Sequence, residues 1–128
     1  MNKPKGLKKG DLIGIVSPAS PSENKSDVTR CLAWLHEHGY RTVVGPNVNK
    51  NKGLTSASEE ERAADINEMF ARDDVDAVFC TQGGYGSAQL FRHLDFSMIA
   101  KHPKLFMGFS DITSLHLMFN KLCGFVTF

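Results

Sequence analysis

The sequence has few cysteines, and it has no long apolar run. Its three cysteines, Cys31, Cys80 and Cys123, lie far apart and form no C-x-x-C or metal-ligand spacing. We therefore expect free, small, buried thiols in a reducing compartment, and no bound metal. No stretch approaches the ~20 apolar residues that cross a bilayer. The basic N-terminus leads into no apolar segment of the kind a signal peptide needs.

An excess of one charge is also missing. Fifteen Lys and Arg against fourteen Asp and Glu give a net charge of +1, which disfavours a nucleic-acid partner. The hydrophobic fraction of 41% and the charged fraction of 23% are those of an ordinary soluble domain. With 128 residues, the chain is long enough for one domain with its own core.

Short apolar runs alternate with helical patterns along the chain. Ser22 is a candidate N-cap followed by Glu23, Gly39 is a helix stop, and Ser58 with Glu61 forms a capping box. The polar loop 45–56 between two elements is long enough to be mobile or functional. The predicted strands are 12–16, 41–44, 75–79 and 105–107, with a further one beginning at 124, and helical patterns cover 22–38, 58–70, 87–94 and 111–122.

This order predicts an α/β fold of the flavodoxin-like, doubly wound type. Its sheet would be mostly parallel, with helices on both faces. Binding and chemistry in such sheets collect at the carboxyl ends of the strands. Three loops of unusual composition leave from those ends: 17–20, 81–86 and 108–111.

The loop Gly108-Phe109-Ser110-Asp111 has the topology of a nucleophile elbow. An apolar strand runs directly into a serine, and a helix follows. A glycine two residues before the serine suits the close approach of backbone at such a turn. Ile112 replaces the final glycine of G-x-S-x-G, so the match is partial. The alternative is that Ser110 or Asp111 simply caps the helix.

The loop Thr81-Gln82-Gly83-Gly84-Tyr85-Gly86 also follows a buried strand. Three glycines in four positions allow the backbone N–H groups to form an anion-binding nest for a phosphate or an oxyanion. The nucleotide motifs are absent, because the loop is not G-x-G-x-x-G and no Lys-[ST] follows it. A tight turn without ligand is an equally good interpretation.

A general base is harder to find. The histidines His36, His38, His93, His102 and His116 fit surface or structural roles better than catalytic ones. His116 lies six residues after Ser110 on the same predicted helix, so it cannot act directly on the serine. The residues therefore indicate a nucleophile and an oxyanion site without a base.

Together these loops resemble the N-terminal part of an LD-carboxypeptidase, the serine peptidases of the muramoyltetrapeptide carboxypeptidase and microcin C immunity type. The resemblance runs along almost the whole chain as an ordered set of segments. They are 3–11, Val16-Ser17-Pro18-Ala19-Ser20, 60–67, Gly83-Gly84-Tyr85-Gly86-Ser87, Pro103-Lys104 and 108–116.

The resemblance implies a cytoplasmic enzyme that removes a terminal D-Ala from murein tetrapeptides in cell-wall recycling, using a Ser-His-Glu triad and no cofactor. Ser110 would be the nucleophile. The amides of Gly84 and Asp111 would bind the oxyanion. The residues that would contact the substrate are Gln82, Gly83, Tyr85 and Gly86. Family members are often dimers, so a homodimer is an expected assembly. The immunity branch cleaves a peptidyl or aminoacyl nucleotide antibiotic instead.

Two departures from the family pattern matter. Gln82 stands where members often have an arginine, which affects the expected substrate specificity. The triad His and Glu come from a second domain, so we expect residues 1–128 to be the nucleophile-bearing N-terminal domain, inactive alone, with the C-terminal domain absent. A non-enzymatic alternative is a small flavodoxin-like module that binds an anion or a peptide carboxylate.

Overall fold

The protein is described by a computed structural model of residues 1–128. Four strands form one parallel sheet in the order β2-β1-β3-β4. The strands are β1 (Leu12–Val16), β2 (Arg41–Val44), β3 (Ala77–Cys80) and β4 (Leu105–Met107). The helices are α1 (Lys25–Glu37), α2 (Glu59–Ala71), α3 (Phe96–Lys101) and α4 (Thr113–Met118), with short 3-10 turns at Ser87–Leu90 and Ser110–Ile112 and a π turn at Phe119–Cys123.

Helices cover both faces of the sheet, which confirms the predicted doubly wound α/β fold. On one face, Val28 and Leu35 of α1 pack against Ile13 and Ile15. On the other, α2, α3 and the 110–123 helical segment bury a larger core. Its largest fully buried side chains are the aromatic rings of Phe70, Phe106, Phe119 and Phe125. Burial of these side chains from water is the main stabilising term for such a domain.

Most predicted elements form where the sequence placed them, and the differences are local. Helix α1 begins after Asn24 rather than Ser22, because the Asn24 N–H donates to the Asp27 carboxylate (3.3 Å) and sets the first turn there. Strand β3 begins at Ala77, two residues later than predicted. The helical stretch from Ser87 is a 3-10 turn that ends at Leu90, and the short α3, capped by Asp95, was not predicted.

The segment after Gly124 lies along the outer edge of β4 instead of forming a regular strand. The Phe128 N–H donates to the carbonyl of Phe106, and the Gly108 N–H donates to that of Phe128, both at 2.9 Å. Asn2 pairs with Phe125 in a parallel bridge. Because β1, β3 and β4 are parallel neighbours, their carboxyl ends lie at one edge of the sheet. The two termini lie beside β4.

Candidate functional site

Ser110 occupies a strained backbone position directly after β4. Its φ is +58°, and it is the one non-glycine residue of the chain with a positive φ. This left-handed conformation costs an L-residue of this kind roughly 1–2 kcal/mol. It is typical of a nucleophile elbow, which lifts a hydroxyl above the sheet. The side chain is exposed, and its hydroxyl makes no hydrogen bond within the chain.

Two glycines make this turn possible by leaving room for backbone and side chains. A Cβ on Gly108 would lie 2.5 Å from Cγ2 of Ile112. A Cβ on Gly83 would lie 2.9 Å from Cβ of Ser110 and 3.1 Å from the amide nitrogen of Asp111. The glycine-rich loop after β3 is therefore in direct contact with the elbow after β4.

The glycine-rich loop is held in place by Ser20, from the loop that follows β1. The Tyr85 N–H donates to the Ser20 hydroxyl at 3.0 Å, and the Ser20 N–H donates to the Gly83 carbonyl at 3.2 Å. Gly84 has a φ of +107°, and a Cβ there would meet the Ser20 hydroxyl oxygen at 2.2 Å. A side chain at position 84 is excluded both by backbone conformation and by contact.

Two backbone amides beside Ser110 make no hydrogen bond within the chain. They belong to Gly84 and Asp111, the two residues predicted to donate to an oxyanion. Backbone N–H groups left free at a loop and at the start of a helical segment are suited to binding a negative charge. The arrangement can therefore take an anion, although its role in catalysis stays a prediction.

The other residues predicted to contact substrate have different surroundings. Tyr85 presents a side chain that is 49% exposed. The Gln82 side chain donates to the Pro21 carbonyl at 2.8 Å and lines a cavity of about 120 Å³ between α1 and the sheet. Gly83 and Gly86 are buried and contribute backbone only. Substrate contact by these four residues stays a prediction.

No histidine contacts Ser110. His116 hydrogen-bonds through Nε2 to the Gly108 carbonyl at 2.8 Å, and its Nδ1 is buried without a partner. His93 is paired with Glu59 at 3.1 Å on the surface of α2. The other three, His36, His38 and His102, bond to groups on their own helices or on β2. The chain thus supplies a serine and free amides, but no base within reach of the serine.

The cysteines take no part in this site. All three are free thiols, as predicted. Cys31 is exposed and Cys80 is partly buried, so the expectation that each is buried holds fully only for Cys123. Burial raises the pKa of the Cys80 thiol, which keeps it protonated and unreactive. No group of three His, Cys, Asp or Glu side chains is placed to hold a metal ion.

Arg62 is a component of this region that the sequence-based search for functional residues missed. It is 2% exposed, and its guanidinium hydrogen-bonds to carbonyls of three different loops at this edge of the sheet. The sequence contains one clue. Arg62 has helical spacing with the buried Ile66 and Met69, which places a charged residue on the apolar face of α2.

The loop 45–56, whose length suggested a mobile or functional segment, packs over the same region. Ser56 donates from its N–H to the Ala19 carbonyl and from its hydroxyl to the Ser17 carbonyl, at 2.9 and 2.8 Å. Ser20 donates to the Leu54 carbonyl at 2.7 Å.

None of the helices combines the length and apolar content that crossing a bilayer requires.

Comparison with known proteins agrees with this geometry. The chain is 43% identical over 126 residues to a probable murein peptide carboxypeptidase of Bacillus subtilis (strain 168), covering 98% of this chain and 39% of that protein. It is 32% identical over 121 residues to the microcin C7 self-immunity protein MccF of Escherichia coli, covering 93% and 35%. The crystal structure of an MccF-like protein from Bacillus anthracis superposes with a TM-score of 0.94 at 32% identity, covering 99% and 39%.

The chain thus spans less than half the length of these relatives. Residues 13–128 match the family model described as the LD-carboxypeptidase N-terminal domain. The match includes the elbow, the glycine-rich loop and all four strands apart from the first residue of β1. This chain belongs to the LD-carboxypeptidase family, in which it corresponds to the N-terminal domain.

Proposed function

We propose that this chain is the nucleophile-bearing domain of a cytoplasmic serine carboxypeptidase that removes the terminal D-Ala from murein tetrapeptides during cell-wall recycling. The observation that carries the proposal is the left-handed Ser110 on its elbow, placed against a loop whose Gly84 amide is free. The murein substrate is supported by the relative with 43% identity, which is named a probable murein peptide carboxypeptidase.

In this mechanism Ser110 Oγ attacks the carbonyl carbon of the bond before D-Ala. A histidine of the C-terminal domain, oriented by a glutamate, takes the hydroxyl proton and passes it to the leaving amine. The N–H groups of Gly84 and Asp111 stabilise the negative oxygen of the tetrahedral intermediate. Release of D-Ala leaves an acyl-enzyme on Ser110, and water then hydrolyses this ester.

The second domain is an essential part of the proposal. Residues 1–128 hold no base near Ser110, and the relatives extend to more than twice this length. The apolar side chain of Phe109, next to Ser110 in the chain, is 64% exposed, and that of Leu117 on α4 is 65% exposed. We propose that this surface receives the C-terminal domain or a second copy of the protein.

Cleavage of an antibiotic nucleotide is the second candidate. The close superposition on the MccF-like protein supports it. Both candidates use the same elbow and differ in the leaving group. Binding of an anion or peptide carboxylate without catalysis is a third, and the free amides alone would suffice for it.

The test uses the enzyme completed with its C-terminal domain, and it measures D-Ala release from an L,D-tetrapeptide. Ser110→Ala should lower kcat at least 10³-fold, by the measured effect of removing a triad nucleophile. The matched control is Ser97→Ala, at an exposed serine of α3. Turnover by Ser110→Ala at the rate of the control would refute the proposal.

A further inference from the structure

Arg62 is a buried cation without a carboxylate in contact. Its side chain is 2% exposed, and no carboxylate oxygen lies within salt-bridge distance. Buried charges in proteins are normally paired with an opposite charge. Burial lowers the pKa of the Arg62 guanidinium from its ordinary value, and the charges of Glu59 and Asp111 act in the opposite direction. An isolated charge in this position requires an explanation.

The guanidinium joins three loops that are distant in sequence. Nε donates to the Ala57 carbonyl at 2.9 Å, and Nη1 donates to those of Pro18 at 2.8 Å and Gly86 at 3.0 Å. Nη2 donates to Oε1 of Gln89 at 2.7 Å. These contacts connect the loop after β1, the start of α2 and the glycine-rich loop. A planar fork with several fixed N–H donors can satisfy them all at once, which a single ammonium cannot do.

The contact at Gly86 continues to the elbow through one peptide unit. The carbonyl of the Gly86–Ser87 peptide accepts from Arg62, and the N–H of the same peptide donates to Oδ2 of Asp111 at 2.9 Å. The Ser87 hydroxyl also donates to the Asp111 carbonyl at 2.7 Å. The peptide dipole thus points its oxygen at the cation and its N–H at the anion. Both are charge-assisted hydrogen bonds, the stronger class in proteins.

We propose that Arg62, the Gly86–Ser87 peptide and Asp111 form a clamp that positions the oxyanion-binding amides against Ser110. Arg62 and the Asp111 side chain act as positioning groups and do not touch the substrate. The clamp fixes the glycine-rich loop from one side and Asp111 from the other. The free N–H groups of Gly84 and Asp111 then converge on the space beside the serine hydroxyl. The effect of the clamp on kcat rests on the proposed function. Its effect on the order of the two loops does not.

The structural test is amide hydrogen exchange by NMR on the 128-residue chain. Arg62→Lys keeps the charge but loses the fork. We expect exchange of the Ser20, Tyr85 and Ser87 amides to accelerate at least tenfold more than exchange of the core amides of β1 and β3. The matched control is Lys104→Met, which removes another buried cation that bonds to backbone carbonyls far from the elbow. In that variant the three loop amides should accelerate no more than the core.

Two results would overturn the clamp. One is a uniform acceleration across the molecule in Arg62→Lys, which would show a general structural role. The other is unchanged exchange of the loop amides, which would show that the fork is not needed. If Arg62→Lys does not fold, Gln89→Ala removes only the Nη2 contact, and the same three amides should then accelerate at least threefold more than the core.

The catalytic test uses the enzyme completed with its C-terminal domain. Arg62→Lys should lower kcat at least tenfold with KM within threefold of the wild type, and Lys104→Met should change neither. An unchanged kcat in Arg62→Lys would overturn the catalytic consequence. If the proposed function is wrong, Ser110→Ala retains turnover. The hydrogen-exchange result decides separately whether the clamp exists.

Discussion

Gly83 determines how closely the glycine-rich loop can approach Ser110. Its φ lies outside the left-handed region, so alanine is compatible with the backbone conformation there. The added methyl group would nevertheless lie 2.9 Å from Ser110 Cβ and 3.1 Å from the Asp111 amide. The elbow must move to accommodate it, by a distance comparable with the overlap.

We predict that Gly83→Ala lowers kcat of the domain-completed enzyme by about 10²-fold, because a displacement of roughly 1 Å at a reacting group has that effect. The measurement is the steady-state rate of D-Ala release. Gly6→Ala is the matched control, since a Cβ on Gly6 meets nothing within 4 Å. A Gly83→Ala enzyme as active as Gly6→Ala would contradict the packing described here.

Lys104 stabilises the end of α2 from inside the protein. Its ammonium donates to the Met69 carbonyl at 2.9 Å and also to the Arg72 carbonyl, and the residue is 8% exposed. These carbonyls belong to the last turn of α2, whose groups have no partner within the helix. Burial lowers the Lys104 pKa from its ordinary value.

We predict that Lys104→Met lowers the free energy of unfolding by about 1–3 kcal/mol, since it leaves the Met69 carbonyl without a donor, whereas the Arg72 carbonyl keeps the Val75 N–H. Urea denaturation of the isolated chain followed by circular dichroism measures this. An unchanged denaturation midpoint would show that water replaces the ammonium at no cost.

Helix α2 and the loop before it are joined through Glu61. The Glu61 carboxylate accepts from the Lys50 ammonium and from the Ser58 N–H, the latter as half of a capping box. The hydrogen bond from Lys50 and then that from the Ser58 backbone lower the Glu61 pKa from 4.5 to about 2. Because the pKa falls on folding, the ionised carboxylate stabilises the folded state above pH 4.5. This stabilisation is lost as the pH falls from 4.5 towards 2.

We therefore predict that Glu61→Gln flattens the dependence of unfolding free energy on pH between 4.5 and 2. The measurement is a series of urea denaturations across that range. Glu68→Gln, at an exposed carboxylate of the same helix without a hydrogen-bond partner, is the control. Equal pH slopes for Glu61→Gln and the wild type would contradict the account of this helix start.

Local signals explain which elements could be predicted. The capping box at Ser58, the strands β1, β2 and β4, and the elbow topology all depend on neighbouring residues, and the structure has them at the predicted positions. Asn24 caps α1 in place of the predicted Ser22, because its contact with the Asp27 carboxylate sets the first turn. Helix α3 has six residues, too few for a periodic pattern to emerge.

Only the parts of the candidate site that have a local sequence pattern could be predicted. Ser110 and the glycine-rich loop have sequence patterns of their own. The role of Arg62 depends on carbonyls 24 and 44 residues away in sequence, and that of Ser20 on an amide 65 residues away. Contacts of this kind follow from the strand order, which brings the ends of β1, β3 and β4 to one edge. No local sequence pattern predicts such contacts.

The domain as a whole presents an exposed serine on an elbow and two free backbone amides, without a base near the serine. Its sheet, core and clamp are formed within residues 1–128, whereas the base and its orienting carboxylate are proposed to come from the C-terminal domain. The isolated chain should therefore fold cooperatively and release no D-Ala. Its exposed apolar surface around Phe109 should favour self-association, which sedimentation velocity would detect as a concentration-dependent increase in mean mass.

The most direct test of the central claim is D-Ala release from an L,D-tetrapeptide, measured in parallel for the isolated chain, the domain-completed enzyme and its Ser110→Ala variant. Circular dichroism establishes that each is folded. We predict release by the domain-completed enzyme alone, and none by the isolated chain or by Ser110→Ala. Release that persists in Ser110→Ala would show that the elbow serine is not the nucleophile and would contradict the account.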